Sequence, residues 1–324
     1  MLIRLTKSNH SLQLSLLILL AIALWTRNFV AHTPIEIIEP QTFLYESLFG
    51  WTKTNMVLAK ILAFMCVLLQ AFLLNVIAKI HSVSKNSMFV ALIYVVLMSV
   101  QNDWQMMQPF LIANFFIIGG YWYLFKIYDQ KEPYEYVFNA AILFALASLL
   151  SASLLPFGLI MFWVFLSYPI NKWREWLIAI LGFGFPFFVV YLWASLTENL
   201  NMFSEFLIPM MDFDSLKTIV EMSLPTQIFV WFVCLISLIG IGFMQLRAKY
   251  NEIAQRKKIT ALMLGVFWIV CVAMFTSYTS THLAALFAFF AFFMAEWFYR
   301  NDRQWLSEVI FYGFLVAAFT AQYL

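Results

Sequence analysis

Residues 54–79 read TNMVLAKILAFMCVLLQAFLLNVIAK, and from Met56 to Ala78 the only charged side chain is Lys60. The hydrocarbon core of a bilayer is about 30 Å thick, and a helix crosses it with about 20 apolar residues, whereas a barrel strand needs about ten. This run is too long for a strand and does not alternate. Lipid offers no hydrogen bonds, so the backbone of such a stretch has to satisfy itself as a helix. The stretch therefore predicts a transmembrane helix, and the same pattern recurs on both sides of it.

Working outward, apolar runs are expected to span residues 12–30, 54–79, 87–102, 109–126, 137–153, 155–170, 176–196, 226–246, 259–277, 282–299 and 306–323. The predicted fold is all-α, a single transmembrane bundle of about eleven spans covering 1–324. Composition agrees: 64% of the chain is hydrophobic and 11% charged, against about half and a quarter in a soluble domain. The apolar content is bulky, with 36 Phe and 12 Trp. A net charge of +2, spread over short loops, excludes a nucleic-acid surface. Cys66, Cys234 and Cys271 all fall inside apolar runs with no CxxC pair, which reads as buried small hydrophobes.

Charge sets the orientation. With a cytoplasmic N-terminus, all but four of the 19 Lys and Arg fall on the inside, the exceptions being Arg27, Lys53, Lys60 and Lys217. Glu36, Glu39, Glu46, Asp103, Glu198, Glu205, Asp212, Asp214 and Glu221 gather on the outside. The positive-inside rule is met at every turn, and an odd number of spans places the C-terminus outside. The first run, after Arg4 and Lys7, reads as an uncleaved signal anchor, because it continues at spanning length through Trp25. Two outside stretches, 43–51 and 203–213, carry aromatic residues at helical spacing and are expected to lie in the outer interface.

Polar residues at membrane depth carry the functional argument. The third run has only the apolar stretch Met88 to Val100 before Gln101-Asn102-Asp103-Trp104-Gln105, so this polar group should sit below the outer surface. Such a loop is tolerated where protein buries it or where it lines a water-filled cavity. The alternative is a short hairpin in a locally thinned bilayer. Arg27 and Lys60 lie near the outer leaflet, where they either reach for lipid headgroups or hold a phosphate or other anionic headgroup.

His10 and His81 fall inside and His32 and His282 outside, so no His-rich metal centre is expected, although His32 and His282 with Glu36 or Glu39 have the donors for one divalent ion. Lys172-Trp173-Arg174-Glu175-Trp176 and Glu296-Trp297-Phe298-Tyr299-Arg300 read as cytoplasmic-face anchors, with Glu296 and Glu308 neutralised by Arg300 and Arg303 or serving a proton relay. Pro156, Pro169, Pro186 and Pro209 sit in or beside spans, where kinks are expected. There is no GxSxG, P-loop or GxGxxG signature and no convincing internal repeat. No cofactor or metal is called for.

Residues 138–193 resemble a family of polytopic bacterial inner-membrane proteins of unknown function. The resemblance rests on the helix opening at Phe138, the break after Leu146, the anchor Trp173 to Trp176, and Gly182 with Pro186. A weaker, architectural resemblance is to membrane-embedded C-type lipid-dependent glycosyltransferases, which pair a cytoplasmic N-terminus with an acidic first outside loop and a second acid in the next. That resemblance implies catalytic roles for Glu36 or Glu39 and for Asp103. Arg27, Lys60, Trp104 and His282 are the expected substrate-binding residues. A carboxylate there would deprotonate an acceptor hydroxyl while a cation stabilises a leaving lipid phosphate. The expected function is handling of a lipid-linked or anionic amphipathic substrate at the outer leaflet during envelope biogenesis, by glycosyl or other group transfer. The bilayer is the expected partner, with or without a further membrane protein. A transporter or flippase and a noncatalytic scaffold remain the alternatives.

Overall fold

The computed structural model describes residues 10–30, 42–81, 87–127, 130, 132–167, 172–197, 224–248, 258–267, 279–300 and 304–323. Among these residues the regular structure is entirely helical. In chain order the helices are α1 (His10–Val30), α2 (Phe43–Phe49), α3 (Met56–Ile80), α4 (Ser87–Met98), α5 (Pro109–Ile127), α6 (Tyr134–Leu150), α7 (Gly158–Ser167) and α8 (Trp173–Leu196). Beyond them lie α9 (Leu224–Ala248), α10 (Lys258–Phe267), α11 (Thr279–Arg300) and α12 (Gln304–Tyr323). Short 3-10 turns follow α2 (Gly50–Lys53), α4 (Asn102–Gln105) and α6 (Ala152–Phe157). Five helices are long and apolar enough to cross a membrane: Met56–Ile80, Pro109–Ile127, Trp173–Leu196, Leu224–Gln245 and Trp305–Gln322.

Local chemistry fits these boundaries. Arg27, Lys79 and Lys126 occupy the last turns of α1, α3 and α5, where a positive charge meets the partial negative charge of the helix C-terminus. Glu175, in the first turn of α8, accepts a hydrogen bond from the Lys172 backbone N–H at 3.4 Å. Pro186 lies inside α8. Of the two outside stretches read as helical, 43–51 forms α2 and its following 3-10 turn; the one at 203–213 lies outside the described residues.

Two helices are enclosed on all sides. Every residue of 88–100 and of 283–298 is buried, so α4 and α11 form the centre, packed on each other through contacts such as Phe89 with Phe298 at 5.9 Å. The 12 residues of α4 rise only about 18 Å, too short to face lipid across a full bilayer. Enclosure by protein makes that length tolerable, because neighbouring helices rather than lipid meet both of its ends. Around this centre stand α1, α3, α9 and α12, and α5, α6 and α8 pack in succession beside it.

Close approach in these layers depends on missing side chains. A Cβ on Gly240 would fall 2.5 Å from the Phe293 carbonyl oxygen, and one on Gly182 would fall 2.9 Å from Ala141 Cβ and 3.0 Å from the Phe138 carbonyl. Here α9 meets α11, and α8 meets α6, backbone to backbone, as small residues permit in membrane helices. The opposite faces are apolar and open: Val57, Ile61, Met65, Leu69 and Phe72 on α3, and Leu177, Leu181, Phe185, Phe188 and Leu192 on α8, are all exposed. In water such stripes would be aggregation surfaces; against lipid tails they are neutral.

Candidate functional site

The end of α1, the beginning of α3, the break between α4 and α5 and the end of α12 meet in one buried polar junction. Lys60 is 3% exposed, and its Nζ donates to the Asn28 carbonyl at 2.5 Å. Asn28, 1% exposed, passes the network on, its Nδ2 donating to the Gln105 carbonyl at 2.9 Å. Gln105 Nε2 and Gln322 Nε2 both donate to the Ser99 carbonyl, and Gln322 Nε2 also reaches the Leu24 carbonyl at 2.9 Å. The Asn28 carbonyl lies among the last four of α1, which have no partner within the helix, so a cation there answers both a missing hydrogen bond and the helix dipole.

Two polar atoms in the same place have no hydrogen-bonding partner, Trp25 Nε1 and Asn28 Oδ1. One is a donor and the other an acceptor, three residues apart on α1 and so on one face of it. Trp25 packs edge-on against Phe64 with ring centroids 5.2 Å apart. Because Phe64 lies one turn beyond Lys60 on α3, the indole and the ammonium belong to the same α1–α3 seam.

The short helix α2 closes over neighbouring helix ends. Thr42 accepts from the Tyr45 backbone N–H at 3.4 Å and donates its hydroxyl to the Leu150 carbonyl at 2.9 Å, tying the helix start to the end of α6. Tyr45 donates to the Met107 carbonyl at 3.0 Å. Burial pushes the Tyr45 hydroxyl up to about 12, with the Thr52 hydroxyl opposing the rise. It therefore remains a donor throughout the neutral range.

The residues singled out from the sequence are distributed as follows. Lys60 lies in the junction, and Arg27, half-buried, lies beside Asn28 at the end of α1. Lys53 is not drawn in: it pairs with Glu46 at 2.8 Å on the surface. Trp104 is fully buried, its ring edge-on to Phe287 at 4.8 Å, a packing position between the 3-10 turn and α11. Asp103 lies in the backbone of that turn and His282 in the first turns of α11, but their side chains are outside the described ones. Glu36 and Glu39 lie outside the described residues altogether. Gln105 and Gln108 are buried and Gln101 is half-buried, so protein covers the described glutamines of the polar break after α4.

Asn28, Ser99 and Gln322 complete the junction, and the sequence pattern does not single them out. Gln322 bonds to a residue 298 positions away, and no local pattern carries that. Asn28 had a weak signal, a short amide beside Arg27 at the end of an apolar run. Among the described residues no group of three His, Cys, Asp or Glu is placed to hold a metal ion. No protein family, curated protein or solved structure matches the chain.

Proposed function

We propose that this chain is a multi-pass protein of the bacterial inner membrane, with about eleven crossings and a cytoplasmic N-terminus. In this reading it receives the anionic headgroup of a lipid-linked or other amphipathic substrate at the outer leaflet, for group transfer in envelope biogenesis. The observation that carries it is Lys60. A lysine that only anchors a helix in lipid extends along the surface toward headgroups; this one is covered, at 3% exposure, and donates to the Asn28 carbonyl in the seam where the Trp25 indole N–H has no hydrogen-bonding partner. An intramembrane cation held in the bundle interior marks a functional position by default. The acids Glu36, Glu39 and Asp103 remain the proposed bases of the transfer, following the resemblance to C-type lipid-dependent glycosyltransferases.

The test is thermal stabilisation of the purified protein by a polyprenyl phosphate and by the matching uncharged polyprenol. The phosphate should raise the unfolding midpoint and the alcohol should not. Lys60→Met should weaken the phosphate response by about ten-fold in concentration, the equivalent of one lost charge-assisted hydrogen bond, while Lys53→Met leaves it unchanged. Equal responses to both lipids, or an intact response in a folded Lys60→Met protein, would reject the reading.

A further inference from the structure

An apolar crevice lies between α3, α5, α10 and α11, lined by Leu74 and Ile77, Ile118 and Tyr121, Leu262, and Phe292 among others. What bounds it is more informative than what lines it. One turn toward the junction described above, Leu74 leads to Gln70 and Ile118 to Asn114. These form a buried polar layer: Tyr94 donates to Gln70 Oε1 at 2.5 Å, Gln70 Nε2 donates to the Leu111 carbonyl at 2.5 Å, and Asn114 Nδ2 donates to the Ala284 carbonyl at 3.4 Å.

One turn in the other direction, Ile77 leads to His81, Leu262 to Lys258 and Phe292 to Glu296. All three are buried, at 5%, 7% and 3% exposure. Their convergence follows from register. A Cβ on Gly265 would meet Phe289 Cε1 at 3.3 Å, and three residues back along α10 and three forward along α11, Leu262 and Phe292 share the crevice wall. The same antiparallel offset, carried one more turn, brings Lys258 of α10 and Glu296 of α11 to one level of the bundle. His81 is placed by its edge contacts to Trp122 and Phe125 on α5, at 5.5 and 5.2 Å, and Phe125 also lines the crevice.

The bundle thus holds three buried polar levels in a row: His81, Lys258 and Glu296; then Gln70, Tyr94 and Asn114; then the junction of Ser99, Gln105, Asn28 and Lys60. The crevice separates the first two. Its walls are apolar except for the Tyr121 hydroxyl, which occupies the space left by Gly265, where a Cβ would fall 1.9 Å from that oxygen. At the crevice level α3 also buries Asn75, whose Oδ1 has no hydrogen-bonding partner.

We propose that this row is a path for protons through the bundle and that the crevice is its gate, closed while dry. Apolar constrictions between polar chambers stop conduction by excluding water and pass it when wetted, and buried acids and bases at membrane depth serve as relay groups. The Glu296 carboxylate takes a proton from hydronium at the α3 C-terminal end; an O–H bond of the hydronium breaks to leave water, a carboxyl O–H forms, and the negative charge is lost. That bond breaks again when the proton moves to water in the crevice. Other ionisable groups at this end are Lys79 on α3, Lys126 on α5, which lies over the Trp122 ring at 5.0 Å, Tyr299 on α11 and Glu308 on α12. Arg247 and Arg300 are near by sequence, with side chains outside the described ones. The proposal is independent of the substrate reading for the junction.

Proton flux into liposomes containing the full chain, read with an entrapped pH dye under a potassium–valinomycin potential, tests it. Ala288→Ser and Ile118→Thr place a hydroxyl in the crevice, the first at little change in volume and the second with the β-branch kept. Each should raise the flux several-fold above wild type, and adding Glu296→Gln should return it to the wild-type level. No rise from either variant in protein that stays monodisperse would overturn the proposal. So would a rise that survives Glu296→Gln or comes with leakage of the dye itself.

Discussion

Gln70 shows how much one side chain settles inside an apolar bundle. Its amide accepts from Tyr94 and donates to the Leu111 carbonyl, joining α3, α4 and α5 where no water competes. Gln70→Leu leaves the Tyr94 hydroxyl without this acceptor and should cost about 1–3 kcal/mol. Tyr94→Phe made in the Gln70→Leu background should then cost much less than the same change in wild type, because the two groups act as a unit. A double-mutant cycle by reversible unfolding in detergent or bicelles reads this directly, and strictly additive losses would show that the bond contributes nothing. Lys60 belongs to the same scale: its position in the sequence fits a headgroup anchor, and only its hydrogen bond to Asn28 reveals that it points the other way.

At the level of elements, packing is decided by where side chains are missing. Gly240 and Gly242 lie two residues apart on α9, yet a Cβ on the first would press on the Phe293 backbone while one on the second would meet nothing within 4 Å. Gly240→Ala should therefore push α9 off α11 and lower the unfolding midpoint, since the obstacle is backbone that no rotamer change can move. Gly242→Ala should leave the midpoint unchanged or raise it slightly, because alanine is the better helix former. Comparable midpoints for the two variants would contradict the close approach. Gly182 plays the same part between α8 and α6.

For the whole molecule the ordering of helix ends is the main result. Gln322 of α12 reaches Leu24 of α1 and the Ser99 carbonyl after α4, so the C-terminal ends of α1, α4 and α12 lie together with the start of α3. The positive-inside pattern assigns that end to the outside. Single cysteines at Glu46 and Lys53, in a chain whose three native cysteines are replaced by alanine, should react with a membrane-impermeant thiol reagent on intact spheroplasts. Cysteines at Gln130 and Glu132 should react only after permeabilisation. The reverse pattern would invert the orientation, and labelling of both sets from outside would end the crossing scheme.

The sequence by itself determined that the chain is helical and where its helices run, because apolar length and backbone self-satisfaction are properties of contiguous residues. A helix occupies each apolar run within the described residues, from His10–Val30 to Gln304–Tyr323. It also marked the polar break after Val100, where an apolar run ends too soon. The tertiary structure decided what surrounds each helix. Nothing local separates α4 and α11, enclosed by protein, from α3 and α8, half open: all four are apolar, and a side chain suited to lipid is equally suited to a protein interior. For the same reason the polar levels could not be read in advance. Gln70, Tyr94 and Asn114 look like isolated tolerated polar residues until three helices bring them together, and Glu296 reads as part of an anchor until the fold buries it.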